Sequence, residues 1–162
     1  MDPWQSHRPI LEHYARKTDG PILELGIGDG STPLLHEICK DKNRFLISVE
    51  NDPAWRDKYS HYRCKNHAIL YVDDWSKVSI FKDFFFSIVF VDVAPWEERI
   101  PLVKLFKQQM NNVEYLILHD SEHFTNNKII DYNDFKFWKD YHDYPPPTLV
   151  ASNIYPISPQ LT

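Results

Sequence analysis

The chain has 162 residues, 43% of them hydrophobic and 25% charged; this balance excludes a disordered chain and suits one domain, 1–162, around one hydrophobic core. The formal net charge is −5, with lysine and arginine scattered along the sequence, which argues against a broad nucleic-acid interface. No run is apolar for long enough to cross a bilayer, the N-terminus lacks the apolar core of a signal peptide, and Cys39 and Cys64 build neither a disulfide framework nor a zinc motif, so a reducing cytoplasm is the expected compartment.

In chain order, "HRPILEHYARK" (7–17) reads as a short amphipathic helix with Pro9 in its first turn, within an N-terminal helical segment at 1–19. "PILELG" (21–26) is a buried strand. "STPLLHEICK" (31–40) is a helix opened by Ser31 or Thr32, with Pro33 behind the cap. "RFLISVE" (44–50) is a second strand, and "DPAWRDKYSHY" (52–62) a helix capped by Asp52. "AILYV" (68–72) is a third strand, followed by a weak helix over "WSKVSIFKD" (75–83). "FSIVFVD" (86–92) has no polar alternation at its centre, so both its faces are covered. "PWEERIPLVKLFKQQM" (95–110) is a helix that Pro101 would kink, and "EYLILHD" (114–120) is a fifth strand. Five apolar strands alternating with helices predict an α/β, Rossmann-like parallel sheet with helices on both faces. After Asp120 the rhythm changes: "DFKFWKDYH" and "TLVASNIYP" flank "DYPPP" and read as an antiparallel hairpin over 133–157 at the sheet edge, followed by a loose tail.

Three of the four glycines, Gly26, Gly28 and Gly30, occupy five consecutive positions between the first strand and the next helix. Glycine permits positive φ and removes the Cβ that would block a ligand from the main chain. The helix start that follows adds free N–H groups and a partial positive charge. A tight turn alone needs one glycine, so the cluster points to a bound ligand. The dinucleotide fingerprint places its third glycine where this chain has Ser31. Glu24 precedes the first glycine by two positions, and Glu50 closes the second strand at a spacing suited to a ribose diol.

Strand, E-x-G-x-G-x-G, helix, and a strand ending in an acid resemble the class I S-adenosylmethionine (SAM)-dependent methyltransferases. "LELGIGDGS", "LISVENDP", "VFVD" and "LILHDS" resemble the catechol O-methyltransferase-like branch, and "SHRPILEHY", "DGSTPLL", "DVAPWEERI" and "LHDSEH" a group of small bacterial and viral methyltransferase-like proteins. The resemblance implies a seven-stranded sheet whose last strand is antiparallel and inserted beside the fifth, with the N-terminal helix folded over the cofactor. It also implies methyl transfer from SAM to an oxygen of a small hydroxylated or sugar acceptor; a chain of this length has little room for a large substrate domain, so a partner subunit or a homo-oligomer would complete the pocket.

On this reading Glu50 accepts from the ribose hydroxyls, and Gly26, Gly28 and Gly30 pass beside the methionine part of the cofactor. Glu24 orients the loop through backbone N–H groups or reaches the cofactor's ammonium through water, and Asp29 lies inside the loop. Asp74 accepts from the adenine amine while Trp75 packs on the ring; their structural alternative is a helix cap and a core tryptophan. Asp92 and Asp120 end adjacent central strands, where two carboxylates repel unless a proton, a base or a cation lies between them. A magnesium ion bound by Asp92 and Asp120 would meet that need and acidify a substrate hydroxyl. Two departures weaken the match to the metal-dependent branch: Ser121 stands where its amide ligand belongs, and Pro95 where it carries a lysine base. Without metal, Asp92 contacts the cofactor's ammonium or the substrate. His119, beside Asp120, can take a hydroxyl proton at neutral pH, with His123 and the His7–Arg8 pair as secondary candidates. Arg99, with Glu97 and Glu98, reads as a solvated helix face or as a clamp on an anionic acceptor.

Two further classes bear on these residues. A non-catalytic SAM-binding module or regulatory subunit would share the glycine loop and Glu50 but need no base. A phosphohydrolase built on the "HD" pair would need several more histidines on helices, whereas this pair follows a buried strand. A nicotinamide dehydrogenase is disfavoured by Ser31.

Overall fold

The computed structural model describes residues 2–161. Its helices are α1 (Arg8–Lys17), α2 (Thr32–Asp41), α3 (Pro53–Tyr59), α4 (Arg99–Lys107) and α5 (Ser121–Asn126). Its strands are β1 (Ile22–Leu25), β2 (Leu46–Glu50), β3 (His67–Tyr71), β4 (Phe86–Val91), β5 (Val113–His119), β6 (Phe137–Tyr141) and β7 (Thr148–Ser152). All seven strands form one sheet in the order β3-β2-β1-β4-β5-β7-β6. The first five are parallel; β7 runs antiparallel between β5 and β6. The expected Rossmann-like sheet is therefore present. The hairpin is not simply appended: its second strand is the inner one, and β6 becomes the edge.

Every residue in β1 and β4 is buried, as the lack of polar alternation at the centre of β4 predicts; the one charged residue among them is Glu24 in β1. Alternate side chains then divide between two cores, as the period of two requires. Leu23, Leu25, Val89, Val91, Leu116 and Leu118 face a layer containing Leu102, Val103 and Phe106 of α4 and the 3-10 segment Trp75–Phe81. Ile22, Ile88, Phe90, Tyr115 and Ile117 face Ile10, Leu11 and Tyr14 of α1 and Leu35 and Ile38 of α2. Each fully buried side chain of this kind contributes about 1.5–3 kcal/mol, so both layers anchor the sheet beneath the site.

Three local readings change. Residues 75–81 form a 3-10 segment rather than an α-helix. The segment 95–110 splits into a 3-10 turn at Trp96–Glu98 and then α4, so Pro101 falls in the first turn of α4, where its missing N–H costs nothing. The short α5 went unread because "SEHFTN" has too few apolar positions to show a helical period. No helix among the described residues is long and apolar enough to cross a membrane.

Candidate functional site

The carboxyl ends of β1, β2, β4 and β5 border a cavity of about 480 Å³, within the usual size range of small-molecule sites. Its walls come from the glycine loop (Ile27–Ser31), from Glu50 and Trp55, from Asp92, Arg99, His119 and Asp120, and from Gln5 and His7 ahead of α1. The N-terminal segment thus reaches the site through residues before α1, while α1 itself is packed on the sheet.

At the first end the main chain does most of the work. Gly26 has φ +94°, and a Cβ there would overlap the Asp92 carbonyl, so the β1 terminus can lie against β4 only with glycine at this position. Gly28 lines the cavity, and a Cβ there would meet only Ser31 Oγ, at an ordinary contact distance of 3.9 Å. A Cβ at Gly30 would come within 3.0 Å of His7 Nε2, so this glycine lets the loop close on the N-terminal segment. Arg8 supports that closure by donating to the Gly30 carbonyl at 3.3 Å.

Glu24 does not line the cavity. It is fully buried on the α2 side and accepts from Ser31 Oγ (2.6 Å), Thr32 Oγ1 (2.9 Å) and Ser48 Oγ (2.5 Å). The loop is therefore tied down through hydroxyls, not through the backbone N–H groups expected from sequence. Burial pushes the Glu24 carboxyl up to about 7, against the three hydroxyl donors that pull it down. Ser48 continues the chain by pairing with His67 Nε2 at 2.9 Å, and His67 Nδ1 lies 3.0 Å from His36 Nδ1.

Glu50 borders the cavity and is 7% exposed. Its Oε2 accepts from Ile27 N (2.9 Å), and its Oε1 from Asn51 N (2.8 Å) and Asp52 N (3.0 Å). A carboxylate has about four acceptor positions, so one remains, on Oε2, for a ligand hydroxyl. Trp55, at the start of α3, donates from Nε1 to the Ile27 carbonyl, and its half-exposed ring borders the cavity. Asp29 is held by Tyr59 and Lys58.

The second end is built from side chains. Arg99 is buried and lies between the two strand-end acids: NH2 is 2.7 Å from Asp92 Oδ1, and NH1 is 2.7 Å from Asp120 Oδ2. Its Nε donates to the Val93 carbonyl and NH1 also to the His119 carbonyl. The cation that the two carboxylates require is thus a guanidinium, and Arg99 is no solvated helix face. Ser121 Oγ donates to Asp140 Oδ1 at 2.5 Å and so faces β6. Asp92 and Asp120 with Ser121 therefore do not fit a magnesium ion. Asp120 has φ +54° and ψ +46°, a left-handed conformation that aspartate tolerates better than most residues.

Asp92 Oδ1 also lies 3.0 Å from His119 Nδ1. Burial alone would raise the Asp92 carboxyl; the His119 hydrogen bond and the charges of His119, Arg99 and His7 bring it down to about 2. The hydroxyl of Ser6 donates to the Pro146 carbonyl at 2.9 Å, so it accepts from His119 Nε2–H, also at 2.9 Å. Both nitrogens of His119 are thereby engaged. His7 is the contrasting imidazole. It is 1% exposed, its ring meets that of His119 edge-on at 4.6 Å, and neither nitrogen has a hydrogen-bond partner among the described residues. Burial lowers its pKa to about 4, more than the nearby Asp92 raises it, so His7 is neutral at pH 7.

The structure thus gathers Gly28, Gly30, Glu50, Asp92, His119 and Asp120 around one cavity. Asp74 and Trp75 lie outside it: Asp74 caps the 3-10 segment through Ser76 N (2.7 Å), and Trp75 is packed in the core. His123 is exposed and its ring neighbours Trp96. Trp55 was missed, although a lone tryptophan two residues after Pro53 in an otherwise polar helix was a readable signal.

No family model and no curated protein matches the sequence. Solved structures do match the fold. The Podospora anserina methyltransferase PaMTH1, solved with SAH bound, superposes with a TM-score of 0.66 at 15% identity, over 91% of this chain and 77% of that one. A spermidine synthase in complex with the transition-state analogue AdoDATO gives 0.63 at 16% identity, over 94% of this chain and 61% of that one. A Pyrococcus furiosus methyltransferase gives 0.58 at 16% identity, over 90% and 82%. The chain has the Rossmann-like fold of the class I SAM-dependent methyltransferases, a fold that the spermidine synthase shares.

Proposed function

We propose that the cavity binds SAM and that the protein transfers its methyl group to an oxygen of a small hydroxylated or sugar acceptor. The observation that carries this reading is the continuity of one cavity from Glu50 to the Asp92–His119–His7 cluster. The SAH bound to the Podospora methyltransferase of the same fold supports the choice of ligand.

Glu50 would take a ribose hydroxyl on the remaining position of Oε2, and Trp55 would offer its ring to the adenine. Gly28 would admit the methionine part to the main chain, directed toward Asp92. When bound, SAM supplies a methyl group on a positively charged sulfur, already a good electrophile. The protein must then align the acceptor and remove its proton. The base role assigned from sequence to His119 passes to His7, because His119 has no free nitrogen and His7 is neutral with both unpaired. A proton arriving on His7 would be stabilised by Asp92, whose Oδ2 lies 3.8 Å from Nδ1.

Calorimetry with SAM and SAH tests the reading directly. Saturable binding is expected, and Glu50→Gln should weaken it about 10- to 100-fold, as for a hydrogen bond to a charged group. Binding of neither ligand by folded protein would overturn the proposal. Screening hydroxylated acceptors with radiolabelled SAM then separates an enzyme from a binding module: the enzyme shows turnover that His7→Ala abolishes while SAM affinity persists.

A further inference from the structure

We propose that His7, Asp92 and His119 form a binding site for a divalent transition metal of the zinc or cobalt class, held by two imidazole nitrogens and one carboxylate. Ligand atoms from the three side chains all lie within 4.8 Å of one another. Asp92 Oδ2 is 3.8 Å from His7 Nδ1, and Asp92 Oδ1 is 3.0 Å from His119 Nδ1. Tetrahedral geometry with ligands about 2.0–2.1 Å from zinc needs a spacing of about 3.4 Å, so the ligand atoms would draw together on binding.

Three observations carry the assignment. His7 is buried with two unpartnered nitrogens, and leaving such groups unpaired costs about 1–3 kcal/mol; a metal on Nδ1 satisfies one of them. The Ser6 hydroxyl, committed to the Pro146 carbonyl, holds one proton of His119 on Nε2, so a metal would displace the Nδ1 proton that Asp92 Oδ1 accepts and take Nδ1 as its ligand atom. Outer-sphere hydrogen bonds of this kind fix the tautomer of metal-bound histidines. The charges also match. Asp92 and Asp120 bring two negative charges and Arg99 returns one positive, so a divalent ion would meet one net negative charge, as in sites with two histidines and one carboxylate. Arg99 contacts Oδ1 of Asp92 and leaves Oδ2 to the metal. Imidazole donors select zinc, cobalt or iron over magnesium, and the cavity beside the cluster offers the open positions that a three-ligand site keeps for an exogenous group.

The inference goes beyond methyl transfer: a metal on His7 Nδ1 keeps the ring proton on Nε2 and excludes the base role, so the metal-bound form is a state distinct from the transferring one, and the site is tested without SAM. Chelator-stripped full chain is titrated with Co²⁺ and Zn²⁺. One ion per chain at micromolar metal or below is expected, with visible Co²⁺ absorption. His7→Ala and His119→Ala should each weaken binding about 100-fold or more, and Ser6→Ala about 10-fold, as loss of an outer-sphere partner does. His61→Ala, at an exposed histidine remote from the cluster, should leave it unchanged. Failure of folded wild-type protein to bind either ion, or undiminished binding by His7→Ala, overturns the proposal. Because His119→Ala removes a buried side chain, the wild type supplies a second readout. Proton NMR of the Co²⁺ form should show two paramagnetically shifted imidazole N–H signals, and none refutes the site.

Discussion

The two ends of the cavity hold their carboxylates by different means. Glu50 is held by three main-chain amides from Ile27, Asn51 and Asp52. Asp92 and Asp120 are held by the side chains of Arg99 and His119. The first arrangement draws on residues next to one strand end and on one adjacent loop. The second draws on positions 7, 92, 99, 119 and 120, spread over more than two thirds of the chain. Among the natural residues only proline removes a backbone donor, so the first end is otherwise vulnerable mainly where glycine is obligatory. The side-chain end depends on charge balance and should respond to pH and to single replacements.

The largest effect is expected at the main-chain end. Gly26→Ala forces a side chain into a left-handed conformation, at roughly 1–2 kcal/mol, and against the Asp92 carbonyl, at roughly 1–3 kcal/mol for overpacking. Urea unfolding should show a total loss of roughly 3 kcal/mol or more; a loss near zero would mean that β1 and β4 can separate without penalty.

Next in size is the pH dependence of Glu24, beneath the same loop. Its carboxyl titrates near 4.5 when unfolded and at about 7 when folded. Between those values the folded state holds the proton and the unfolded chain does not. Glu24 therefore contributes stability fully present below 4.5 and lost as pH rises through 7. Relative to Glu24→Gln, the wild type should lose on the order of 3 kcal/mol over that window. Parallel stability–pH curves for the two proteins would refute the buried-acid reading.

Arg99→Met tests the side-chain end. It leaves two carboxylates facing each other without a cation. Breaking a fully buried pair costs about 3–5 kcal/mol. Here the Asp92 and Asp120 side chains are 20% and 22% exposed, and solvent screening reduces the cost to about 2 kcal/mol at neutral pH. The loss should shrink as pH falls and the carboxylates protonate. A loss independent of pH would show that Arg99 acts by packing alone.

The division between the two ends also separates what could be read from the chain. The glycine spacing, Glu50 at the close of β2 and the five apolar runs were legible because each depends on neighbours in sequence: a turn needs glycine locally, and a strand shows its burial in its own composition. Asp92 and Asp120 were legible as strand-end acids, but the cation between them was not. Arg99 sits in a run of charges, "EER", that reads as solvent-facing, and no local pattern shows that the start of α4 turns it under the sheet edge. Trp75 and Asp74 were misplaced for the converse reason, since "YVDDWS" fits an adenine site as well as a cap followed by a core residue.

By itself, then, the sequence determined the α/β class, the five parallel strands and the glycine turn, because these follow from periodicity and from the steric freedom of single residues. Only the tertiary structure decided that His7 lies unpaired beside Asp92, that Ser6 holds a proton on His119 Nε2, and that Glu24 is a buried tie outside the cavity lining. Those outcomes depend on side chains up to 113 residues apart in the chain meeting at one edge, and separation in sequence carries no record of such contacts.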